Sequence, residues 1–563
     1  MKKLYIIAAA ALTLGATSCD DTLDKQPLDE IVSNTQYWAN DDNVQTQIDR
    51  FYNDYSGYGN GGGQGQFYFN ALSDDQTDNS FANWPFTNIP ASSSSWASPW
   101  SEIRGMNEVI VNVRKAHPGK EAFFEGVARM NRAYQYYQLV RAYGDVQWVN
   151  EPIDPADKDK VYAARDDRDV VMDSVLNDLN YAIATIGDGA NKHVWSSDLA
   201  AAMKAEICLY EGTFCKYRTA ADNGKAADAA RANKYLQEAA GAAQKVINNK
   251  GYKLSENYGD IYNALDLNDN KEIIFYKPYS QPNASFGHGT IAYTSSSTAH
   301  KGITKDAFNA FLFLDGKPLA TTSENKSDAA TLVNGKFDIS NILAVRDKRL
   351  SVIVEPVLGL NDYELQRDEK GQLMTSSTGY CIRKFNNTSL SKYSRETIGQ
   401  NTTAAPLFWL AKVYLDFAEA KAELGTLTQA DLDNTINKLQ ARAGLPNMTL
   451  APAADPYNNM GVIPLIWEIR RVRRCELMLD GYRFYDLIRW HQLDKLDSQA
   501  HPDIFLGANV GNVAGAKFTV VNGYVRSTPD KERVYANKYY LYPIPSGQLV
   551  LNSKLEQNPL WTK

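Results

Sequence analysis

Four carboxylates, Glu468, Glu476, Asp480 and Asp486, fall within residues 467–492, WEIRRVRRCELMLDGYRFYDLIRWHQ, among arginines and His491. Two such groups at the right separation, Glu476 and Asp486 for instance, would serve as the acid and the base or nucleophile of glycosidic-bond hydrolysis. The surrounding pattern favours a different role. Ile466, Ile469, Val472, Cys475 and Leu479 recur at helical spacing and form one apolar stripe. Glu and Arg fill the other faces, where i, i+3 and i+4 neighbours pair. The stretch therefore reads as framework first and as a hydrolase pair second.

A second chemistry is carried by aromatic rings. The chain has 33 Tyr, 20 Phe and 10 Trp, many of them among Gly, Ser, Asn and Asp in stretches without periodicity. An aromatic face beside amides and carboxylates suits a sugar, whose C–H face stacks while its hydroxyls are bonded. Asp75, Asn83, Trp84, Asn88 and Trp96 in the loop-like stretch 73–100 form the strongest group. Tyr279, Phe286 and Tyr293 (279–297) form a second. Arg367, Arg383 and Tyr393 (363–395) form a third, in which a guanidinium fork spans two hydroxyls. Anchoring of a loop to the core is the competing role for each. Trp84, Asn83, Asp75, Trp96, Tyr293, Arg367 and Tyr393 are the expected ligand contacts.

A third chemistry is covalent. Lys2 and Lys3 precede LYIIAAAALTL, an apolar run of eleven residues, which is shorter than the roughly 20 a spanning helix needs. Small residues and Cys19 follow, then Asp20 and Asp21. This arrangement has the form of a secretory leader, residues 1–18, with Cys19 as the lipid-bearing first residue of the mature chain. An ordinary leader with a chance cysteine is the plainer alternative.

Other constellations are weaker. Six scattered histidines form no HxxxH or CxxC pattern, so no metal is expected. Cys208 and Cys215 lie in one helical pattern, about 10 Å apart along its axis, which is too far for a disulfide. A formal GxGxxG at Gly57, Gly59 and Gly62 lacks the flanking strand and helix of a dinucleotide site. Asp266, Asn268 and Asn270 have calcium-loop spacing, but Lys271 stands where such a loop needs glycine. The net charge of −7 without a basic stripe argues against nucleic acid. No cofactor is implied.

These groups must be positioned by helices. Periodicity predicts helices over 40–55, 123–144, 169–187, 196–217, 232–249, 407–425, 427–444 and the first part of 467–492. They fall into pairs of tetratricopeptide type. Residues 251–405 read as loops and short strands such as KEIIFYKPY (271–279). The expected fold is mainly α: tetratricopeptide-like helix pairs as scaffold, with long loop and short-strand insertions. Its parts are a leader (1–18), an N-terminal region with helix pairs (19–250) and a C-terminal region (251–563).

Several motifs carry a family resemblance. Arg474, Glu476-Leu477, Asp480-Gly481, Arg483, Asp486-Leu487 and Arg489-Trp490 resemble the ER-x-x-EL…EG-x-R-x-x-DL-x-RW pattern of SusD/RagB lipoproteins, with Asp480 in place of Glu. MNRAYQYYQLVRAYGDVQWV (130–149), LAKVYLDFAEAKAELG (410–425), LQARAGL (439–445) and YYLYPIPSGQLVLNSKLEQNP (539–559) resemble further motifs of that family, in order. The resemblance implies a surface lipoprotein of the outer membrane, facing the exterior and held by Cys19, with Asp20-Asp21 as export signal. It implies non-catalytic binding of an oligosaccharide and a SusC-like TonB-dependent barrel transporter as partner, over which the protein acts as a lid. A protein–protein adaptor or peptide receptor on the same scaffold is the alternative, and a glycoside hydrolase a further one.

Overall fold

The computed structural model describes residues 35–59, 72–78, 83–117, 119–279, 287–290, 301–360, 366–367, 371, 373–513 and 518–562. Cys19, Gly62, Phe286 and Tyr293 lie outside the described residues, and only the backbone of Arg367 is described, in the two-residue strand Gln366–Arg367.

Capping chemistry sets the helix starts. Helix α1 (Asp41–Asp49) begins at Asn40, whose side chain accepts the Asn43 N–H at 3.1 Å. After strand β1 (Gln76–Asp78) comes helix α2 (Ser94–Ala116). The expected loop over 73–100 therefore ends early, because Trp96, Ile103 and Met106 supply a buried helical face. Helix α3 (Glu121–Tyr143) stops at Gly144, at φ 72°. Helix α4 (Arg168–Thr185) is capped by Asp167, and α5 (Ser197–Tyr217) by Ser196, which accepts the Leu199 N–H at 3.1 Å. Helix α6 (Ala229–Asn248) completes the pair.

Strand β2 (Ile273–Lys277) matches its expectation, and β3 (Lys301–Ile303) pairs antiparallel with β1. The helix expected from residue 407 starts later. Residues Ala405–Trp409 form strand β4, antiparallel to β2, and only then does helix α7 (Leu410–Glu423) begin. Pro406 and two large aromatics favour the fully buried strand. The pattern over 427–444 is also interrupted. Thr435 breaks it, and helix α8 (Ile436–Ala443) ends at left-handed Gly444. Helix α9 (Pro464–Glu476) and α10 (Arg483–Arg489) are separated by a turn with Leu479 at φ 68° and Gly481 at φ 84°.

The helices stack in series: α2 on α3, α3 on α4, α4 on α5, α5 on α6, α6 on α7 and α7 on α9. Close approach in the α5–α6 pair requires a glycine. A Cβ at Gly212 would sit 2.8 Å from Leu236 Cγ and 3.0 Å from its backbone nitrogen. Two large apolar cores result among the described residues, beside a small cluster of Leu312, Ala443 and Leu445. One holds α2–α6 and the inner face of α10, and the other holds the short strands and helices between 258 and 360. The β2–β4 pair and α7 divide them: Phe275, Phe408 and Phe417 face the first core, and Tyr276, Trp409 and Tyr414 the second.

Helix α9 crosses this divide with its charges buried. Arg470 meets Glu423 at 3.0 Å, Arg473 meets Asp416 at 2.7 Å and Asp486 at 2.8 Å, and Glu476 meets Arg349 at 2.8 Å and also Arg442. In the following turn Asp480 takes Lys384 Nζ and the Tyr262 hydroxyl, each at 2.7 Å, with both charged side chains fully buried. Removing one member of such a pair strands the other in low dielectric. Asp480→Asn is expected to cost about 3–5 kcal/mol in urea unfolding, and the double variant Lys384→Met, Asp480→Leu to recover most of it. A loss below about 1 kcal/mol for Asp480→Asn would show that the pair does not hold the turn.

Candidate functional site

The expected ligand contacts in 73–100 separate into two kinds. Asp75 is 3% exposed and takes Arg474 Nε at 2.7 Å. Burial raises its pKa to about 6 against the pull of Arg474. Trp84 is 5% exposed. Its Nε1 donates to the Val534 carbonyl at 2.8 Å, and its ring stacks on Tyr539 with centroids 4.2 Å apart. Trp96 packs edge-on against Tyr143 inside the helical core. All three are buried against other parts of the chain in this conformation. Asn83 is exposed, with Oδ1 accepting the Trp84 N–H at 2.8 Å. Tyr393 is 66% exposed on the short helix Lys392–Glu396.

The second expected group is likewise anchored where it is described. Tyr279 accepts the Tyr58 N–H at 2.9 Å and meets His288 edge-on at 4.7 Å. His288 Nε2 lies 3.0 Å from the Thr403 carbonyl. Burial lowers its pKa to about 3, with the Thr403 contact opposing. The calcium-like spacing is used internally. Asp266 Oδ1 accepts from Asn268 N–H and the Tyr276 hydroxyl, and Asn270 Oδ1 from Glu272 N–H and the Ser255 hydroxyl.

Glu476 and Asp486 are buried and ion-paired, Glu476 to Arg349 and Arg442, Asp486 to Arg473 and Arg489. Burial opposes their ionisation, but these guanidinium groups outweigh it and hold both carboxyls below the usual range. A general acid needs the reverse shift.

A cleft of about 350 Å³ opens beside α9. Its floor is Asp74, Arg474 and Arg483. Arg483 grips Asp74 with two bonds of 2.7 Å, and Arg474 reaches Asp306 at 2.7 Å. Burial disfavours the Asp74 charge, yet Arg474 and Arg483 hold its pKa well below the usual carboxylate range. One wall carries Trp467, whose Nε1 donates to Asp455 at 3.2 Å, and Tyr457, 60% exposed. The cleft is also lined by Tyr524, whose hydroxyl donates to Asp328 at 2.6 Å. Lys305 lies 4.1 Å from the Tyr524 ring and 3.1 Å from Asp503. Rings, amides and many paired charges thus share one concave surface. Sequence reasoning missed it. Trp467 lies in a stretch that reads as framework, and Tyr457 and Tyr524 reach the same cleft from separate segments.

The stacked helix pairs, with few short strands, define a mainly helical protein of the SusD-like fold. The chain belongs to the SusD family, whose model matches residues 271–561. It is 24% identical to SusD-like protein P2 of Formosa agariphila, over 82% of this chain and 79% of that one. Its fold is similar to that of a SusD-like carbohydrate-binding protein from Bacteroides fragilis, with TM-score 0.70 and 19% identity, covering 92% of this chain and all of that one. It is also similar to a structure solved with a xylogluco-oligosaccharide, with TM-score 0.61 and 17% identity, covering 95% and 99%.

The split between framework and surface residues is measurable. Trp84→Ala is expected to destabilise by about 3–5 kcal/mol, as for a buried aromatic, whereas Tyr393→Ala stays within about 0.5 kcal/mol; thermal unfolding of both separates the two roles. His288 is neutral in the folded chain down to about pH 3, while the unfolded chain protonates it near 6.5. Its contribution is complete above pH 6.5 and is lost as pH falls towards 3. Wild type should therefore lose about 2 kcal/mol more than His288→Gln between pH 7 and pH 5.

Proposed function

We propose that the protein captures an oligosaccharide at the cell surface without cutting it and delivers it to a SusC-like TonB-dependent barrel transporter, serving as the barrel's lid. Cys19, lipid-modified, would tether the body to the outer membrane on its exterior side. The observation that carries the reading is the cleft beside α9. Tyr457 supplies an exposed ring there, with the rings of Trp467 and Tyr524 on its walls and the amides of Asn309 and Asn459 among them. Family membership supports it, as does the likeness to a protein described as carbohydrate-binding and to one solved with a xylogluco-oligosaccharide. Among the described residues no helix is long and apolar enough to cross a membrane.

The cleft holds the first sugar rings in this reading. Asn83 and Tyr393, both exposed, and Tyr293 and Arg367 are proposed as further ligand contacts. The test is calorimetry against a series of soluble polysaccharides and their oligosaccharides. Trp467→Ala is expected to weaken the bound glycan by about 2 kcal/mol, roughly thirtyfold, as for loss of an aromatic anchor. A loss at Tyr393→Ala with none at Trp467→Ala would move the site to Tyr393 and leave glycan capture standing. Release of cleaved product would favour the hydrolase. Tight binding of a protein or peptide, with none of any glycan, would favour the adaptor.

A further inference from the structure

Another cavity, of about 290 Å³, opens where α3, α5 and the start of α10 meet the segment after α1. It is separate from the cleft beside α9, and no residue lines both. Three tyrosines wall it: Tyr134, which stacks on Tyr55 at 5.0 Å, Tyr482 and Tyr485. The hydroxyls of Tyr482 and Tyr485 make no hydrogen bond to other described residues. Gln135 and Gln138 of α3 add amides.

The charges in this cavity are unlike those of the cleft. Every arginine of α9 has a carboxylate within 3.0 Å. Arg141 has none within ion-pairing distance among the described residues. Its guanidinium lies 3.4 Å from the centre of the Tyr485 ring and 4.8 Å from that of Tyr137, and donates to Gln138. Two carboxyl groups share the cavity, and neither neutralises it. Glu206 is held by Lys412 at 3.0 Å. Asp54 accepts from Gln135 at 2.8 Å and has no cation within ion-pairing distance among the described residues. Burial, with Glu102 nearby, raises the Asp54 pKa to about 7, with Gln135 and Lys277 opposing, so it readily gives up its charge.

A guanidinium stacked on a ring and left without a carboxylate is preorganised to take one, because its fork is fixed and its N–H groups are largely unspent. The ring walls and free phenolic hydroxyls suit a flat, hydroxylated body. We propose that this cavity is a second binding site, selective for an acidic sugar of the uronic acid class, with the ligand carboxylate on Arg141 and its hydroxyls on Tyr482, Tyr485 and the two glutamines. It goes beyond the reading of the cleft and does not depend on it.

The test uses the purified protein with glucuronate and galacturonate as probes and glucose and galactose as neutral controls, titrated by calorimetry and by NMR of the ligand. At least one uronate is expected to bind at least tenfold more tightly than its neutral counterpart. Arg141→Gln should weaken it at least tenfold, and Trp467→Ala should leave it unchanged. Tyr482→Phe, which keeps the ring and removes one hydroxyl, should weaken it severalfold and covers the case in which Arg141→Gln does not fold. Absence of uronate binding at millimolar concentration overturns the proposal. So does equal binding of acid and neutral sugar, or uronate affinity unchanged in a folded Arg141→Gln. None of these results bears on glycan binding in the cleft, which Trp467→Ala reads separately.

Discussion

The fold depends on the buried charges of α9. Arg470, Arg473, Arg474 and Glu476 project from one helix into partners on α7, α8 and α10 and on the segments around Asp74, Asp306 and Arg349. Arg489 adds Glu419, which also takes the Trp490 indole at 2.7 Å. Taking ions out of water costs several kcal/mol each, and the attraction repays it only with good geometry and full hydrogen bonding. The network approaches that condition by sharing, with Asp486 serving both Arg473 and Arg489 and Glu476 both Arg349 and Arg442, although the buried Nε groups of Arg442 and Arg470 find no acceptor among the described residues. Its effect is less on net stability than on placement. A helix whose every turn is matched to a particular distant carboxylate has one register against its neighbours, whereas an apolar stripe alone tolerates several.

That placement builds the cleft. Asp74 and Asp75 belong to a loop that carries only a three-residue strand, β1, paired with β3. Such a strand is too short to hold itself. Arg474 and Arg483 fix it from the other end of the sequence, and the same two arginines then form the cleft floor. The walls follow from the same ties, since Asp306 is drawn to Arg474 and Asp455 to Arg471 and the Trp467 indole. The floor charges are consumed by the fold, so what remains for a ligand is ring faces, amides and neutralised ion pairs.

The helices were legible in the sequence because periodicity and caps are local. Asn40 and Ser196 begin helices where expected, and Gly144 and Gly444 end them. The strand at 405–409 was not, because Leu407, Phe408 and Trp409 continue the apolar pattern of α7 and only pairing with β2 makes them extended. The family was legible for a similar reason: its motifs are the charged residues of α9 and α10, whose spacing survives without a structure. The site was less so. A tryptophan between asparagine and proline reads as a wet platform, yet Trp84 is covered by Tyr539 and bonded to Val534 from the far end of the chain. Asp75 reads as a loop acid, and its partner Arg474 lies 399 positions away. Burial of a polar loop residue is decided by such partners, which no local pattern announces.

The same network bears on why carboxylates so numerous need not imply hydrolysis. Proton donation at neutral pH requires a carboxyl whose pKa is raised and which a substrate can reach. Glu476, Asp486 and Asp74 fail the first condition, since guanidinium partners hold them ionised. Asp480, raised to about 6 by burial, fails the second: it is sealed between Lys384 and the Tyr262 hydroxyl. Asp75, also raised, is closed off beneath Arg474. The arginines that fix α9 therefore do two things with one arrangement. They order the scaffold under the cleft, and they withdraw the acids of the family motif from proton chemistry. The ring of Tyr457 and the amides of Asn309 and Asn459 in the cleft are left clear of that network.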